Sequence, residues 1–233
     1  MLKASEELRL DADAHEQEVI TNDSYGLKSF AETHKDVEYV VDIGANIGAF
    51  SVHAHNIFPN AKIISCEPES SMMDYLRENT DNKLIYIEAA IVGDPNLRDV
   101  EFSICKWQGN HHVKGKFDME TFGRPEIGSE ILYSRTVPAI TLEAVVDLAM
   151  FPRIDLLKID TEGSEPDILE GAKDWLKNIK YIMGEWHSQK DLIRIKEVLK
   201  DTHDTVYTDG VHFKDVRGEV ANGGFTAVLK VLT

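Results

Sequence analysis

Short apolar runs rich in β-branched residues recur along the chain: VEYVVDI (37–43), KIISCE (62–67), KLIYIEAAIV (83–92), RIDLLKID (153–160) and KYIMGEW (180–186). Each is bounded by polar or turn residues. Their near-continuous apolarity predicts strands covered on both faces, as in a parallel sheet. Between them the period becomes helical. Phe50, Ala54, Ile57 and Phe58 share one face and stop before Pro59. After Asp160, Ser164 with Asp167 three residues on marks a helix start, and Pro166 fits a first turn. Ile168, Leu169, Ala172, Trp175 and Leu176 continue that face, with Gly171 as a candidate break. A third helix is predicted over Asp191–Lys200, with Leu192, Ile195 and Leu199 inward.

Strands alternating with helices predict a doubly wound α/β sheet. The C-terminal end departs from that rhythm. TVYTDGVHF and GGFTAVLKVL are strand-like and joined without a helical pattern, so they are expected to pair antiparallel. Residues 106–132 show no clear period and read as a long loop, a lid or substrate segment. The first thirty or so residues read as one or two helices preceding the sheet, giving one domain over 1–233 with a helical segment at 1–36.

Composition narrows the partners. Forty-one acids against 25 bases give a formal charge of −16, a field that repels phosphate backbones and anionic membranes. No nucleic acid or membrane partner is therefore expected. The N-terminus is charged from the start, without a signal-peptide pattern, and no apolar run approaches the ~20 residues of a membrane helix. The two cysteines, Cys66 and Cys105, make no disulfide framework. A reduced, cytoplasmic location is the expectation.

The turn VVDIGANIGAF (40–50) is the first candidate for chemistry. In a doubly wound sheet, ligands bind beyond the strand C-termini. Gly44 and Gly48 would let the backbone approach a ligand and the next helix pack closely. A dinucleotide fingerprint needs G-x-G-x-x-G, but Asn46 stands where its middle glycine would be. Asp42 just before the turn opposes a pyrophosphate and suits a cationic ligand such as S-adenosylmethionine. A purely structural turn is the bland alternative. Glu67, about twenty residues past Gly48, ends the second run and can accept hydrogen bonds from ribose hydroxyls.

KIDTEGSEPDILEGA (158–172) and EWH (185–187) follow two further strands. Together with VVDIGANIGAF and CEP they resemble the FkbM family of S-adenosylmethionine-dependent methyltransferases, over roughly Val37 to His187. The resemblance implies a class I methyltransferase (Rossmann-like) fold: a mostly parallel seven-stranded sheet whose last strand is antiparallel. It also implies O-methylation of a hydroxyl on a small molecule or carbohydrate. By that resemblance, Asp42, Gly44, Asn46 and Gly48 lie along the methionine part of the cofactor and Glu67-Pro68 at the ribose. Glu88, Ala89 and Ala90 lie near the adenine, and Asn110 near the cofactor. His111 and His112 depart from the serines that many members carry beside that asparagine.

Methyl transfer needs an acceptor aligned in line with the sulfonium and a base for its proton. Asp160, Glu162, Glu185 and His187 are expected at adjacent strand tips. His187 is the preferred base because its unperturbed pKa lies near working pH, and Asp160 is second. Asp160 or Glu162 can instead orient the substrate or the cofactor's ammonium group, and His187 has a structural alternative. A divalent metal on Asp160, Glu185 and His187 is not favoured, since their spacing carries no metal signature. His53 and His55 read as surface or packing residues, and Trp107, Trp175 and Trp186 as core or pocket wall. Two other readings stay open: an NAD(P)-dependent oxidoreductase on the same architecture, and a non-catalytic S-adenosylmethionine-binding module.

Overall fold

The computed structural model describes residues 1–116, 130–208 and 222–230. Its strands are β1 (Tyr39–Ile43), β2 (Lys62–Cys66), β3 (Ile85–Ile87), β4 (Ala90–Ile91), β5 (Asp99–Cys105), β6 (His112–Val113), β7 (Ile131–Ile140), β8 (Ile154–Ile159), β9 (Ile179–Trp186), β10 (His203–Tyr207) and β11 (Gly223–Leu229). Its helices are α1 (Arg9–His15), α2 (Leu27–Thr33), α3 (Ala49–Ile57), α4 (Ser70–Asn79), α5 (Leu142–Ala149), α6 (Glu165–Gly171) and α7 (Gln189–Leu199). A π-helical turn, Glu16–Thr21, follows α1.

Seven strands form the main sheet in the order β10-β11-β9-β8-β1-β2-β3. β11 alone runs antiparallel, to both β9 and β10. The central strands are apolar on both sides because both faces are covered: all six residues of β8 are buried. On one face, Val41, Ile43, Leu157 and Ile159 pack with Leu142, Val145, Ile168, Leu169 and Ile195 from α5, α6 and α7. On the other, Val40, Ile63 and Leu156 pack with Ala12, Leu27, Ala31, Phe50 and Ala54 from the N-terminal helices and α3. Caps fix where helices begin. Thr141 accepts from Ala144 N at the start of α5, and Ser188 accepts from Asp191 N at the start of α7.

Two sequence expectations change. The run 83–92 is not one strand: β3 pairs with β2 at the sheet edge, and Ala90–Ile91 then leave to pair with Ala139–Ile140 of β7. With no neighbour beyond β3 in the main sheet, the remaining apolar residues are buried by the second sheet instead. That sheet, ordered β4-β7-β5-β6, was not foreseen. It also takes both ends of the supposed 106–132 loop, since β6 and the start of β7 are strands; residues 117–129 of the loop lie outside the described residues. α6 ends at Gly171, the break the sequence offered, and Leu176 sits beyond it in a separate 3₁₀ turn. The C-terminal pair matches expectation over His203–Tyr207 and Gly223–Leu229, while 209–213 and 231–232 of the two expected strands lie outside the described residues. Among the described residues, no helix is long and apolar enough to cross a membrane.

Candidate active site

A cavity of about 370 Å³ lies at the C-terminal tips of β1 and β8, where the strand order reverses from one wing of the sheet to the other. The turn after β1 is built tightly. Gly44 and Ala45 donate to Cys66 O, and Asp160 N donates to Ile43 O. Gly44 has φ +75°, and a Cβ there would stand 1.7 Å from Asp160 O, so the two strand tips touch backbone to backbone. Gly48, at φ +92°, gives way to Leu76 of α4, which a Cβ would approach to 2.6 Å.

One end of the cavity carries Glu67. Its Oε2 accepts from Asn46 N at 2.9 Å and its Oε1 from Glu69 N at 2.8 Å. Burial pushes the carboxyl up to about 7, and these amides only partly offset that. Pro68, Ala89, Ala90, Phe102, Asn110 and His111 line the neighbouring wall.

The other end is densely charged. Lys158, itself buried, lies 3.3 Å from Asp42 Oδ1 and donates to Gly44 O at 2.7 Å. Burial disfavours its charge, yet Asp42 and Asp160 outweigh this and hold its pKa above the ordinary lysine value. Tyr25 donates its hydroxyl to Asp160 Oδ2 at 2.8 Å. Burial raises Asp160, but Lys158 and His187 more than reverse that. Burial and the Asp160 charge push Glu185 well above the usual carboxylate range, and burial also raises Glu162. Burial disfavours a charged His187, whereas Glu162 and Glu165 drive its pKa well above the ordinary histidine value. Glu162 occupies the left-handed region at φ +57°, a strained conformation that the surrounding contacts must sustain.

A family model for the "Methyltransferase FkbM domain" matches residues 42–226. The chain belongs to this family. Among curated relatives of this FkbM domain, the hexuronic acid methyltransferase AglP of Haloferax volcanii is 23% identical over 178 residues, 75% of this chain and 66% of AglP. The 31-O-demethyl-FK506 methyltransferase FkbM of Streptomyces tacrolimicus is 26% identical over 214 residues, 82% of this chain and 74% of that protein. The crystal structure of a methyltransferase FkbM from Methylobacillus flagellatus superposes with TM-score 0.53 at 14% identity, covering 82% of this chain and 44% of that one. The fold is that of class I methyltransferases, and the chain spans about two thirds of AglP and under half of the solved FkbM chain.

In this FkbM domain, Gly44, Asn46, Glu67, Pro68, Ala89, Ala90, Asn110, Asp160, Glu162, Glu185 and His187 all line the one cavity. Asp42, Gly48 and Glu88 do not. Asp42 has no exposed surface and is turned towards Ser51, whose hydroxyl donates to it at 2.6 Å, and towards Lys158. It stands opposite Lys158 and Ser65 in the sheet register, so its charge is answered within the sheet. The preference for His187 as base assumed an unperturbed pKa, which its carboxylate neighbours remove. His53 packs against Asp23 at 2.9 Å, Trp186 is core and Trp107 lines the cavity.

Sequence reasoning missed Lys158, Glu165, Tyr25, His15 and Glu18. Lys158 had a signal: a lysine inside a strand that is apolar apart from Asp155, two residues before Asp160 and so on the same face. Glu165 lay inside the quoted motif without a role. Tyr25, His15 and Glu18 reach the cavity from the N-terminal helical segment, and no local pattern links them to Asp160.

Proposed function

We propose that this chain is an S-adenosylmethionine-dependent methyltransferase that methylates a hydroxyl oxygen on a carbohydrate or other small polyhydroxylated molecule. The observation that carries this is one continuous cavity with two chemically different ends. A buried carboxylate, Glu67, beside the glycine turn suits a ribose, with Ala89, Ala90 and Asn110 beside it for the adenine. The methionine part would run along Gly44 and Asn46, over the Lys158–Asp42 pair that holds the Gly44 carbonyl. The sulfonium would then face Asp160, Glu162, Glu185 and His187, an acidic surround suited to a cation and to hydroxyl donors. Aligning the acceptor oxygen there supplies most of what an in-line displacement needs. Support for oxygen as the acceptor atom comes from relatives whose names specify a hexuronic acid and a 31-O-demethyl position. The charge of −16 favours a small acceptor over RNA.

Calorimetry with S-adenosylhomocysteine tests the reading. Saturable one-to-one binding is expected, and Glu67→Ala should weaken it by about tenfold or more, the scale of a lost charge-assisted hydrogen bond. Absence of binding to folded protein, or binding of NADH in its place, would overturn it. Transfer of labelled methyl from S-adenosylmethionine to a panel of hydroxylated sugars separates an enzyme from a module that only binds the cofactor.

A further inference from the structure

Nε2 of His187 faces three carboxylates: Glu162 Oε1 at 3.5 Å, Asp160 Oδ1 at 3.6 Å and Glu185 Oε2 at 3.8 Å. Its other nitrogen, Nδ1, lies 3.3 Å from Glu165 Oε1. Glu165 is outside that ring and has no exposed surface. It is fixed by Thr161 N at 2.6 Å and Gly163 N at 3.1 Å. A buried carboxylate against Nδ1 favours a hydrogen on that nitrogen, so that a cation replacing the Nε2 proton would meet the Nε2 lone pair on the cavity side. This carboxylate–imidazole arrangement is how metal-binding histidines are oriented. Nε2 and three carboxyl groups converge on one point, a donor set suited to a cation held between them. The nearest fixed cation, Lys158, donates to the Gly44 carbonyl and lies 3.3 Å from Asp42. It also stands 3.7 Å from Asp160 Oδ2, the oxygen bonded by Tyr25, and not on the Oδ1 that faces His187.

One ligand atom each from Asp160, Glu185 and His187 lies within 4.8 Å of the other two. Atoms that each stand about 2.0–2.4 Å from a shared ion span that separation. We propose that Asp160, Glu185 and His187 bind one divalent cation of the Mg²⁺/Mn²⁺ class, which holds the acceptor oxygen. Two carboxylates with one imidazole make a hard-to-borderline donor set, and the remaining positions open to the cavity. A vicinal diol would fill two of them. The function of the site rests on the methyltransferase reading; the binding of the ion does not. In the loaded site His187 is a ligand rather than the base. The coordinated hydroxyl gives its proton to the Glu162 carboxylate. The oxygen then forms its bond to the methyl carbon as the carbon–sulfur bond breaks, and the electron pair leaves with sulfur as a neutral thioether.

The test is Mn²⁺ titration of the metal-stripped full chain with S-adenosylhomocysteine present, followed by electron paramagnetic resonance. One bound Mn²⁺ per chain is expected, with ¹⁴N modulation from one imidazole. His187→Gln should abolish the modulation, and His187→Gln and Glu185→Gln should each weaken Mn²⁺ by about 10–100-fold. Far-UV circular dichroism and a single cooperative thermal transition on the same samples certify that both variants fold. No stoichiometric Mn²⁺, no ¹⁴N modulation, or binding that neither variant weakens would overturn the proposal and leave a proton on Nε2 as the cation. Loss of S-adenosylhomocysteine binding in the parent chain would instead overturn the methyltransferase reading.

Discussion

Glu67 is the residue whose ionisation bears most directly on ligand binding. Both its oxygens already accept backbone amides, yet burial leaves it near 7. Ribose hydroxyls would donate to the ionised form and favour it. Affinity for S-adenosylhomocysteine should therefore rise between pH 6 and pH 8, with release of a fraction of a proton near pH 7. Isothermal titration in two buffers of different ionisation enthalpy reads that proton, and Glu67→Gln should flatten the pH dependence. The linkage for the free protein has the opposite sense. A carboxyl whose folded pKa is raised contributes stability below its unfolded value, and that contribution is lost as pH rises through about 7. The ligand-induced rise in Tm should thus be larger at pH 8 than at pH 6. Glu67 was legible in the sequence because its cue is local: an acid at a strand tip before a proline, a fixed distance past the glycine turn. Tyr25 was not, because its partner Asp160 lies 135 residues away. Asp42 was legible as a strand-tip acid, read there as facing a cationic ligand, but its partner across the sheet, Lys158, became visible only once the register was known.

At the scale of elements, the turn after β1 couples two strands rather than merely ending one. Gly44→Ala would place a methyl against the Asp160 carbonyl and force the tips of β1 and β8 apart. Gly115 offers a control, since it has φ +80° but nothing within 4 Å of the point where a Cβ would stand. Gly115→Ala should cost only the left-handed penalty, about 1–2 kcal/mol. Gly44→Ala should cost more and also weaken S-adenosylhomocysteine at least tenfold, read by thermal denaturation and calorimetry together. Equal effects from the two substitutions would show that the close approach at Gly44 is unimportant. The main sheet was readable because its central strands are covered on both faces and so appear as unbroken apolar runs. The second sheet was not. β7 leaves Ile131, Leu132 and Tyr133 exposed, and β5 opens on the charged residues Asp99 and Glu101. β7 carries neither an apolar run nor clean alternation, whereas β5 does alternate polar with apolar from Asp99 to Ile104, a signal missed by a reading keyed to unbroken apolar runs. The carboxylate–histidine group was legible as residues at adjacent strand tips, whereas the distances within it were not, because its members come from the ends of β8 and β9 and their spacing is set by strand pairing.

At the scale of the molecule, the N-terminal segment lies largely outside the family match, which begins at residue 42, yet it builds one wall of the site. Leu27 is completely buried, and with Ala12, Val19 and Ala31 it covers the sheet face formed by Val40, Ile63 and Leu156. Asp23 starts α2 by accepting from Leu27 N and also meets His53 of α3. Two residues on, Tyr25 reaches Asp160 while its ring meets Phe50 edge-on at 5.5 Å. A segment bound by so many contacts to the sheet should unfold with it. Leu27→Ala should therefore cost about 2–5 kcal/mol, the range for emptying a buried leucine site. It should shift a single cooperative transition rather than create a second one. Hydrogen exchange gives the decisive reading, because faster exchange in β1 and β8 would accompany the loss if the segment is integral to the core. An unchanged main transition with normal protection of those strands would make residues 1–36 an appendage. In that case Tyr25 would no longer be a fixed wall of the acceptor end, and the chemistry of that end would rest on the strand-tip residues alone.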